Sequence, residues 1–213
     1  MNLRVTEIFY SLQGEARTMG RPTLFIRLTG CPLRCLYCDT AYSYKGGKQI
    51  ALTTILKQVA DYNPQYICVT GGEPLAQPNC LLLLKLLCDE GYEVSLETSG
   101  ALDISKVDSR VSRIVDLKTP DSGEVKRNYY DNMHLLTAND QVKFVICSRK
   151  DYEWAKVQLI KYDLAKKVSE ILFSPSYQQI KAQDLANWIV EDNLPVRFQL
   201  QLHKILWNDQ PGH

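Results

Sequence analysis

The sequence contains 213 residues, 45% of them hydrophobic, which is enough to bury one sizeable core and favours a single domain over residues 1–213. Lysines and arginines total 25 against 24 aspartates and glutamates, and their scatter excludes the basic surface that direct nucleic-acid binding requires. The most apolar window, residues 81–87, is far shorter than the roughly 20 residues of a membrane-spanning helix, and the N-terminal residues lack a secretory signal. We therefore expect a cytoplasmic protein that does not enter a membrane.

Short apolar runs alternate with helical patterns along the chain. A short strand at residues 5–10 precedes seven further predicted strands, at 23–28, 66–70, 93–97, 113–117, 141–146, 170–173 and 196–202. Helices are predicted at 53–62, 78–90, 151–161 and 182–191, and residues 120–132 are predicted to form a loop. This alternation favours an α/β fold with a largely parallel sheet.

The residues that end the predicted strands are unusual for turns. In parallel α/β sheets, ligands bind outside the carboxyl ends of the strands, so these residues have priority as site candidates. They combine glycines, hydroxyls and charged groups: Thr29-Gly30-Cys31, Thr70-Gly71-Gly72-Glu73-Pro74, Glu97-Thr98-Ser99-Gly100, Asp116-Leu117-Lys118-Thr119-Pro120 and Ser174-Pro175-Ser176.

Three of the seven cysteines form a Cys-x-x-x-Cys-x-x-Cys run at Cys31, Cys35 and Cys38, directly after the strand at 23–28. A four-iron cluster held only by protein takes four thiolates, so three leave one iron open to a chelating ligand. Two alternatives are a structural zinc site completed by a distant His or Cys, and a tight loop without metal.

The remaining candidate ligands do not favour the zinc alternative. All three histidines are remote from the run in sequence, at His134, His203 and His213. The other four cysteines fall in predicted strands or helices, where a buried thiol usually acts as a small hydrophobe: Cys68, Cys80, Cys88 and Cys147. An odd cysteine count in a reducing compartment also argues against a disulfide framework.

The cysteine run, with Tyr37 before its third cysteine, resembles the signature of the radical S-adenosylmethionine (SAM) superfamily. The resemblance implies one radical SAM domain with a partial (β/α)6-type barrel, and a [4Fe-4S] cluster whose open iron binds the amino and carboxylate groups of SAM. One electron, from flavodoxin or ferredoxin, then cleaves SAM to methionine and a 5′-deoxyadenosyl radical. The turn at residues 70–74 resembles the glycine-rich strand end along which the SAM amine lies.

A narrower resemblance rests on residues 7–15 (EIFYSLQGE), Arg27, the Gly30-Cys31 and Cys38-Asp39-Thr40 segments, and the QLHK sequence at 201–204. These are similar to the 7-carboxy-7-deazaguanine synthases of the queuosine pathway. The resemblance implies a homodimeric lyase that converts 6-carboxy-5,6,7,8-tetrahydropterin to 7-carboxy-7-deazaguanine with loss of ammonia. SAM is regenerated and carries the radical, so no protein residue is assigned as catalytic.

The resemblance also implies the binding residues. For SAM they are Tyr37, Cys38, Asp39, Gly72, Asp116, Leu117, Lys118, Ser174, Pro175, Ser176 and Tyr177. For the substrate they are Leu12, Gln13, Gly14, Arg27 and Thr70, and the Thr40 hydroxyl is a ligand of Mg²⁺. The Arg27 guanidinium offers a bidentate fork to the substrate carboxylate.

Several of these residues have simpler interpretations. Arg27 could pair with a surface acid, Lys118 could be a solvated lysine, and Ser174 could cap a turn. His203 is predicted to be a hydrogen-bonded residue near the end of a strand, not a catalytic one. Ala16 stands where many relatives have glycine, a change that removes no polar group.

Two other functions compete with the synthase. A glycyl-radical-enzyme activating protein shares the cysteine spacing and the compact α/β scaffold, but it needs a protein docking surface. A non-catalytic cluster-binding regulator would keep the fold without turnover. The residues around Gln13 and Arg27, which suit a small carboxylated heterocycle, argue against the first, and the intact SAM-type strand ends argue against the second.

Overall fold

The structure is a computed structural model that describes residues 1–208, 210 and 212. Its strands are β1 (Asn2–Leu12), β2 (Pro22–Leu28), β3 (Lys48–Ala51), β4 (Tyr66–Gly71), β5 (Glu93–Thr98), β6 (Ser112–Asp116), β7 (Gln141–Ile146), β8 (Glu170–Pro175) and β9 (Arg197–Phe198). Its helices are α1 (Leu52–Tyr62), α2 (Asn79–Asp89), α3 (Asn132–Leu135), α4 (Arg149–Lys161), α5 (Leu164–Lys167), α6 (Ala182–Glu191) and α7 (Leu202–Trp207).

All nine strands form one sheet in the order β3-β1-β2-β4-β5-β6-β7-β8-β9. From β2 to β9 every neighbouring pair is parallel, whereas β1 pairs antiparallel with both β2 and β3. The sheet is open, with β3 at one edge and β9 at the other. The predicted α/β fold with a largely parallel sheet and a partial barrel is confirmed.

The helices that connect the parallel strands cover the sheet with one apolar face each. In α1 the buried residues Leu52, Ile55 and Val59 recur at the three- and four-residue spacing of a single helix face, and Asn63 ends the helix in the left-handed conformation. The apolar window predicted as a core helix is α2, which buries both of its cysteines. These faces and the sheet form one continuous hydrophobic core.

The antiparallel flank of the sheet, formed by β1 and β3, is larger than the sequence predicts. Strand β1 has 11 residues rather than the six predicted at 5–10, and β3 was not predicted. Backbone pairing with β2 carries β1 as far as Leu12, opposite Pro22. The flank therefore places residues 12–15 beside the amino end of β2, since Leu12 lies opposite the first residue of that strand.

The predicted strand at 196–202 is wrong over most of its length. Only Arg197 and Phe198 pair with β8; after the Gln199 amide donates to the Phe173 carbonyl the chain turns away, and residues 202–207 form α7. His203 thus lies in a helix rather than near the end of a strand. The alternation of apolar and polar side chains at 196–202 predicts a strand. It does not reveal the helix, because α7 begins at a contact between Leu202 and Gly14, which is remote in sequence.

The structure refines the loop predicted at 120–132. The predicted loop contains two short 3₁₀ helices, Pro120–Ser122 and Val125–Arg127.

Across the described residues, no helix combines the length and apolar character needed to cross a membrane. His213 lies outside the described residues.

Candidate active site

A cavity of about 680 Å³ lies at the carboxyl ends of the parallel strands, as the strand-end residues predict. Its volume is in the range of small-molecule sites. Alternate residues of the strands face it, because side chains of a strand point to opposite faces in turn. The inward-facing residues are Phe25 and Arg27 of β2, Thr70 of β4, Glu97 of β5, Ile114 and Asp116 of β6, and Lys143 and Val145 of β7.

The three clustered cysteines all line this cavity and are half-buried. Burial raises the pKa of Cys35 to about 11 and also raises the pKa of Cys31. The loop is anchored from outside by Leu36, whose amide donates to the Ser122 carbonyl at 3.0 Å. Three neighbouring thiols on one tethered loop are the donor set of an iron–sulfur cluster with one open iron, and assembling it releases the thiol protons.

The other cysteines lie elsewhere. Cys68, Cys80 and Cys88 are buried in β4 and α2, as predicted for small hydrophobes. Cys147 differs from the prediction, because it follows β7 and is half-buried. Within the described part of the chain, no three His, Cys, Asp or Glu side chains converge closely enough to hold a single metal ion.

The glycine turn after β4 packs directly against the start of the cysteine loop. A Cβ added at Gly72 would lie 2.3 Å from the Gly30 carbonyl oxygen and 2.8 Å from the Cys31 Cβ, so only glycine permits this approach. The next residue, Glu73, is fully buried and accepts hydrogen bonds from the Thr98 hydroxyl and the Ser99 amide. These contacts hold the ends of β2, β4 and β5 together around the backbone of Gly72, which carries no side chain.

Lys118 is buried rather than solvated, which excludes the simpler interpretation of this lysine. Its ammonium lies 3.0 Å from Asp116 Oδ2 and 5.7 Å from the centre of the Tyr37 ring. Burial alone lowers the pKa of Lys118, but the Asp116 carboxylate outweighs it and the pKa is raised, so the lysine is charged. A fixed positive charge therefore lies beside the cysteine loop.

Three buried polar atoms in this half of the site have no hydrogen-bond partner among the described residues: the Tyr37 hydroxyl, Asp116 Oδ1 and Ser174 Oγ. Buried polar groups in folded proteins are nearly always paired, so unpaired ones mark places where a polar ligand fits. All three belong to residues that the resemblance assigns to SAM. The donor set and these atoms fit a cluster and SAM.

Eight of the eleven predicted SAM residues line the cavity: Tyr37, Cys38, Asp39, Gly72, Asp116, Lys118, Ser176 and Tyr177. The other three, Leu117, Ser174 and Pro175, are buried next to them in sequence. The Leu117 side chain belongs to the hydrophobic core and its amide donates to the Lys143 carbonyl at 2.9 Å, so its carbonyl oxygen is the group left to contact a ligand.

All five predicted substrate residues and Thr40 also line the cavity. Gln13 is 2% exposed, its Oε1 accepts from the Glu15 amide at 3.3 Å, and its Nε2 has no partner among the described groups. Helix α7 covers this end, since the Leu202 amide donates to the Gly14 carbonyl at 3.0 Å. A Cβ at Gly14 would lie 2.3 Å from His203 Nδ1, so a side chain here would displace the His203 imidazole.

Arg27 is paired with an acid, as its simpler interpretation has it, but not on the surface. Its Nε donates to Glu7 Oε1 at 2.7 Å, and the Tyr42 hydroxyl donates to the same oxygen at 2.8 Å. Among the described residues, no hydrogen bond uses either terminal nitrogen of the guanidinium. The pair thus orients Arg27 while leaving its fork available to an anion in the cavity.

The structure adds charged groups that the sequence reading did not assign. Lys143 forms an ion pair with Glu15, whose other oxygen accepts from Gln201 Nε2 at 2.7 Å. Burial acts to raise the pKa of Glu15, but Lys143 outweighs it and the pKa is lowered. Glu97 accepts from the Thr70 hydroxyl at 2.9 Å. In the sequence, Glu97 and Lys143 stand out as charged residues at alternate positions of strands that are otherwise buried.

Helix α7 contributes a second ion pair at the mouth of the cavity. Lys204 lies 3.0 Å from Asp39, and Gln201 also donates to this carboxylate at 3.3 Å. Burial acts to raise the pKa of Asp39, but Lys204 outweighs it and the pKa is lowered. These contacts join the cysteine loop to the same helix that covers Gly14.

Comparison with known proteins agrees with this geometry. The chain matches the family model of the radical SAM superfamily over residues 25–156. It is 40% identical to the 7-carboxy-7-deazaguanine synthase of Koribacter versatilis over 98% of both chains, and 42% identical to that of Chlorobaculum tepidum over 97% of this chain and 94% of the other. The crystal structure of QueE from Escherichia coli, 22% identical, has the same fold, with a TM-score of 0.74 over 95% of both chains. The chain therefore belongs to the 7-carboxy-7-deazaguanine synthase family of the radical SAM superfamily.

Proposed function

We propose that this protein is a radical SAM lyase that converts 6-carboxy-5,6,7,8-tetrahydropterin to 7-carboxy-7-deazaguanine with loss of ammonia, in the queuosine pathway. The observation that carries the proposal is the single cavity that unites the cysteine loop with the Gln13 and Arg27 end. Unpaired buried polar atoms at both ends, on Tyr37 and on Gln13, match two polar ligands bound side by side.

Cys31, Cys35 and Cys38 would hold the [4Fe-4S] cluster, and the strand ends at Gly72, Asp116 and residues 174–177 would hold SAM. When bound, this pair supplies a 5′-deoxyadenosyl radical that abstracts a substrate hydrogen. The chain's own part is to orient SAM and exclude water, which the buried Lys118 side chain and the half-buried Tyr37 side chain support.

At the other end, Gln13 Nε2 and the backbone of residues 12–14 would pair with the edge of the planar pterin. The terminal nitrogens of Arg27 would bind the substrate carboxylate as a fork, with Thr70 beside it. The Thr40 hydroxyl would contribute to a Mg²⁺ site that it shares with substrate oxygens, since magnesium takes oxygen ligands and often keeps water.

The family resemblance adds the partners of the enzyme. Flavodoxin or ferredoxin would supply the electron, the active protein would be a homodimer, and the site of action would be the cytoplasm. The cavity favours a small molecule over the protein glycine of an activating enzyme, because α7 covers its Gly14 end through the Leu202 amide. Paired charges such as Lys143 and Glu15 also suit a small polar ligand rather than an apolar protein loop.

The direct test is anaerobic reconstitution with iron and sulfide, followed by incubation with reductant, SAM, Mg²⁺ and 6-carboxytetrahydropterin. Mass spectrometry should detect 7-carboxy-7-deazaguanine in the wild type and none in Cys35→Ala. Cys80→Ala is the matched control, because it removes a buried thiol outside the cavity and should keep the iron content and the product. Formation of 5′-deoxyadenosine without the deazapurine would instead favour the activating-enzyme alternative, and an intact cluster without either product would favour a regulator.

A further inference from the structure

Four carboxylates line the cavity, and three of them are neutralised by lysines. The ion pairs are Glu15 with Lys143, Asp39 with Lys204, and Asp116 with Lys118. The fourth carboxylate, Glu97, forms no ion pair within the described residues, and its one hydrogen bond comes from the Thr70 hydroxyl at 2.9 Å. Glu97 therefore differs from the other acids in having no fixed counter-ion.

Glu97 stands on β5 between two strands of the cavity wall. Thr70 lies next to it on β4, and Ile114 is its register partner on β6. The titratable groups that surround it are Glu15, Arg27, Cys68 and Lys143. Burial, and next the negative charge of Glu15, raise the pKa of Glu97. A carboxyl group in this setting holds its proton to higher pH than an ion-paired one.

The proposed reaction needs such a group. Formation of the aromatic five-membered ring with release of ammonia redistributes atoms without any added oxidant or reductant. A C–H bond of the contracted ring breaks and its electron pair becomes the new C=C bond. The C–N bond to the leaving amine also breaks, and its electron pair departs with nitrogen, which takes up a proton. One proton therefore leaves carbon and one arrives at nitrogen, so a single acid–base group can serve both transfers.

Resting on the proposed function, we propose that Glu97 is the catalytic acid–base residue that takes the carbon proton and delivers a proton to the departing amine. The three ion-paired carboxylates are poorer candidates, since their lysines stabilise the charged form. His203, which also lines the cavity, is the principal rival for the role.

The test separates the radical step from ammonia release. The substrate carries deuterium at the carbon from which the adenosyl radical abstracts hydrogen, and the assay follows deuterium in SAM and 5′-deoxyadenosine together with free ammonia. In Glu97→Gln, deuterium transfer should stay within about threefold of wild type while ammonia release slows roughly 100-fold, and a species with the mass of the substrate should accumulate. Glu97→Asp should restore part of the ammonia release, and Glu93→Gln, an exposed change on the same strand, should match wild type.

A second readout is independent of turnover. Infrared difference spectra of the folded protein, recorded across its pH titration, should show a carboxylic-acid band that disappears in Glu97→Gln and persists in Glu93→Gln. Ammonia release at the wild-type rate in Glu97→Gln would overturn the proposal, as would its loss in His203→Ala but not in Glu97→Gln. An equal fall of deuterium transfer and ammonia release would make Glu97 a positioning residue and also overturn it. Failure of the wild type itself to release ammonia would count against the proposed function.

Discussion

Two buried ion pairs lie close together around β7 and differ in what surrounds them. Arg113 and Asp140 pair at the start of the strand with 2.5 Å between Nη2 and Oδ2, and Asp140 is fully buried. Lys143 and Glu15 pair further along, where both side chains line the cavity. The Arg113–Asp140 pair lies at the amino ends of β6 and β7, and the Lys143–Glu15 pair lies in the cavity.

The first pair is fully enclosed by protein hydrogen bonds. Asp140 accepts from the backbone amide and Nε of Arg113, and from the amide and hydroxyl of Thr137. Arg113 also donates to the Leu135 carbonyl. Such a bidentate and fully paired acid is typical of a structural role, because removing either partner leaves an uncompensated buried charge.

The second pair is surrounded by groups that are incompletely paired. Gln13 Nε2 has no partner among the described groups, and Glu97 next to the pair has no counter-ion. Burial of charge therefore does not by itself indicate function. Unpaired neighbours and an adjoining cavity distinguish a site from a structural pair.

The largest expected effect on folding is at the enclosed pair. Arg113→Met would leave the Asp140 carboxylate buried without its counter-ion, and should lower the free energy of unfolding by about 3–5 kcal/mol. Urea denaturation followed by circular dichroism measures this change. The double variant Arg113→Met/Asp140→Leu should recover much of the loss, and a single variant as stable as wild type would refute the structural role.

A smaller loss is expected where α7 covers the cavity. Gly14→Ala would place a Cβ 2.3 Å from His203 Nδ1 and 3.3 Å from the His203 backbone nitrogen, so the imidazole must move and the start of α7 must give slightly, at a cost of about 1–3 kcal/mol. Hydrogen exchange should become faster in residues 202–207 and remain unchanged in α2. Thr54→Ala is the control, since it changes an exposed residue of α1 outside the cavity. Unchanged exchange in α7 would mean that the helix does not depend on Gly14.

The cavity-side pair should matter less for folding. Lys143→Met leaves Glu15 with its hydrogen bond from Gln201 and with access to cavity water, so we expect a loss of only about 1–2 kcal/mol. The same urea titration provides the measurement. A loss as large as that of Arg113→Met would mean that the two pairs do not differ in the way described.

The smallest effect concerns pH, and its sign should be opposite for two neighbouring carboxylates. The lowered pKa of Glu15 adds stability above the ordinary glutamate pKa, and this is lost as pH falls through the lowered value. The raised pKa of Glu97 makes its ionisation oppose folding as pH rises. Unfolding measured from about pH 2 to pH 8 should therefore show opposite trends: the stability deficit of Glu15→Gln shrinks as pH falls below the ordinary glutamate pKa, and the stability advantage of Glu97→Gln grows as pH rises above it. Parallel changes would refute the assignment.

Much of the fold and the cluster end of the site follow from local patterns. The cysteine loop follows the end of β2, and the Gly71-Gly72 turn stands at the end of β4. Neighbouring parallel strands end at the same edge of the sheet, so the sheet itself brings the loop and the turn together. The buried thiols of α2 are likewise predicted from an apolar run.

The rest depends on contacts remote in sequence. The face on which Glu97 and Lys143 lie is set by the register of β5 and β7 with their neighbours, which no short motif encodes. The helix at 202–207 begins where Leu202 reaches Gly14, 188 residues earlier in the chain, whereas the local alternation at its start predicts a strand. The pairing of Arg27 with Glu7 depends in the same way on the antiparallel register of β1 and β2.

The most direct test of the account is product formation by Arg113→Met and Lys143→Met, measured side by side in reconstituted enzyme and normalised to folded, cluster-loaded protein. We expect Arg113→Met to form 7-carboxy-7-deazaguanine within about threefold of the wild-type rate, and Lys143→Met to be slower by roughly 100-fold because the cavity loses a fixed charge. Equal rates in the two variants would contradict this distinction, because the enclosed pair and the pair that lines the cavity would then serve the reaction alike.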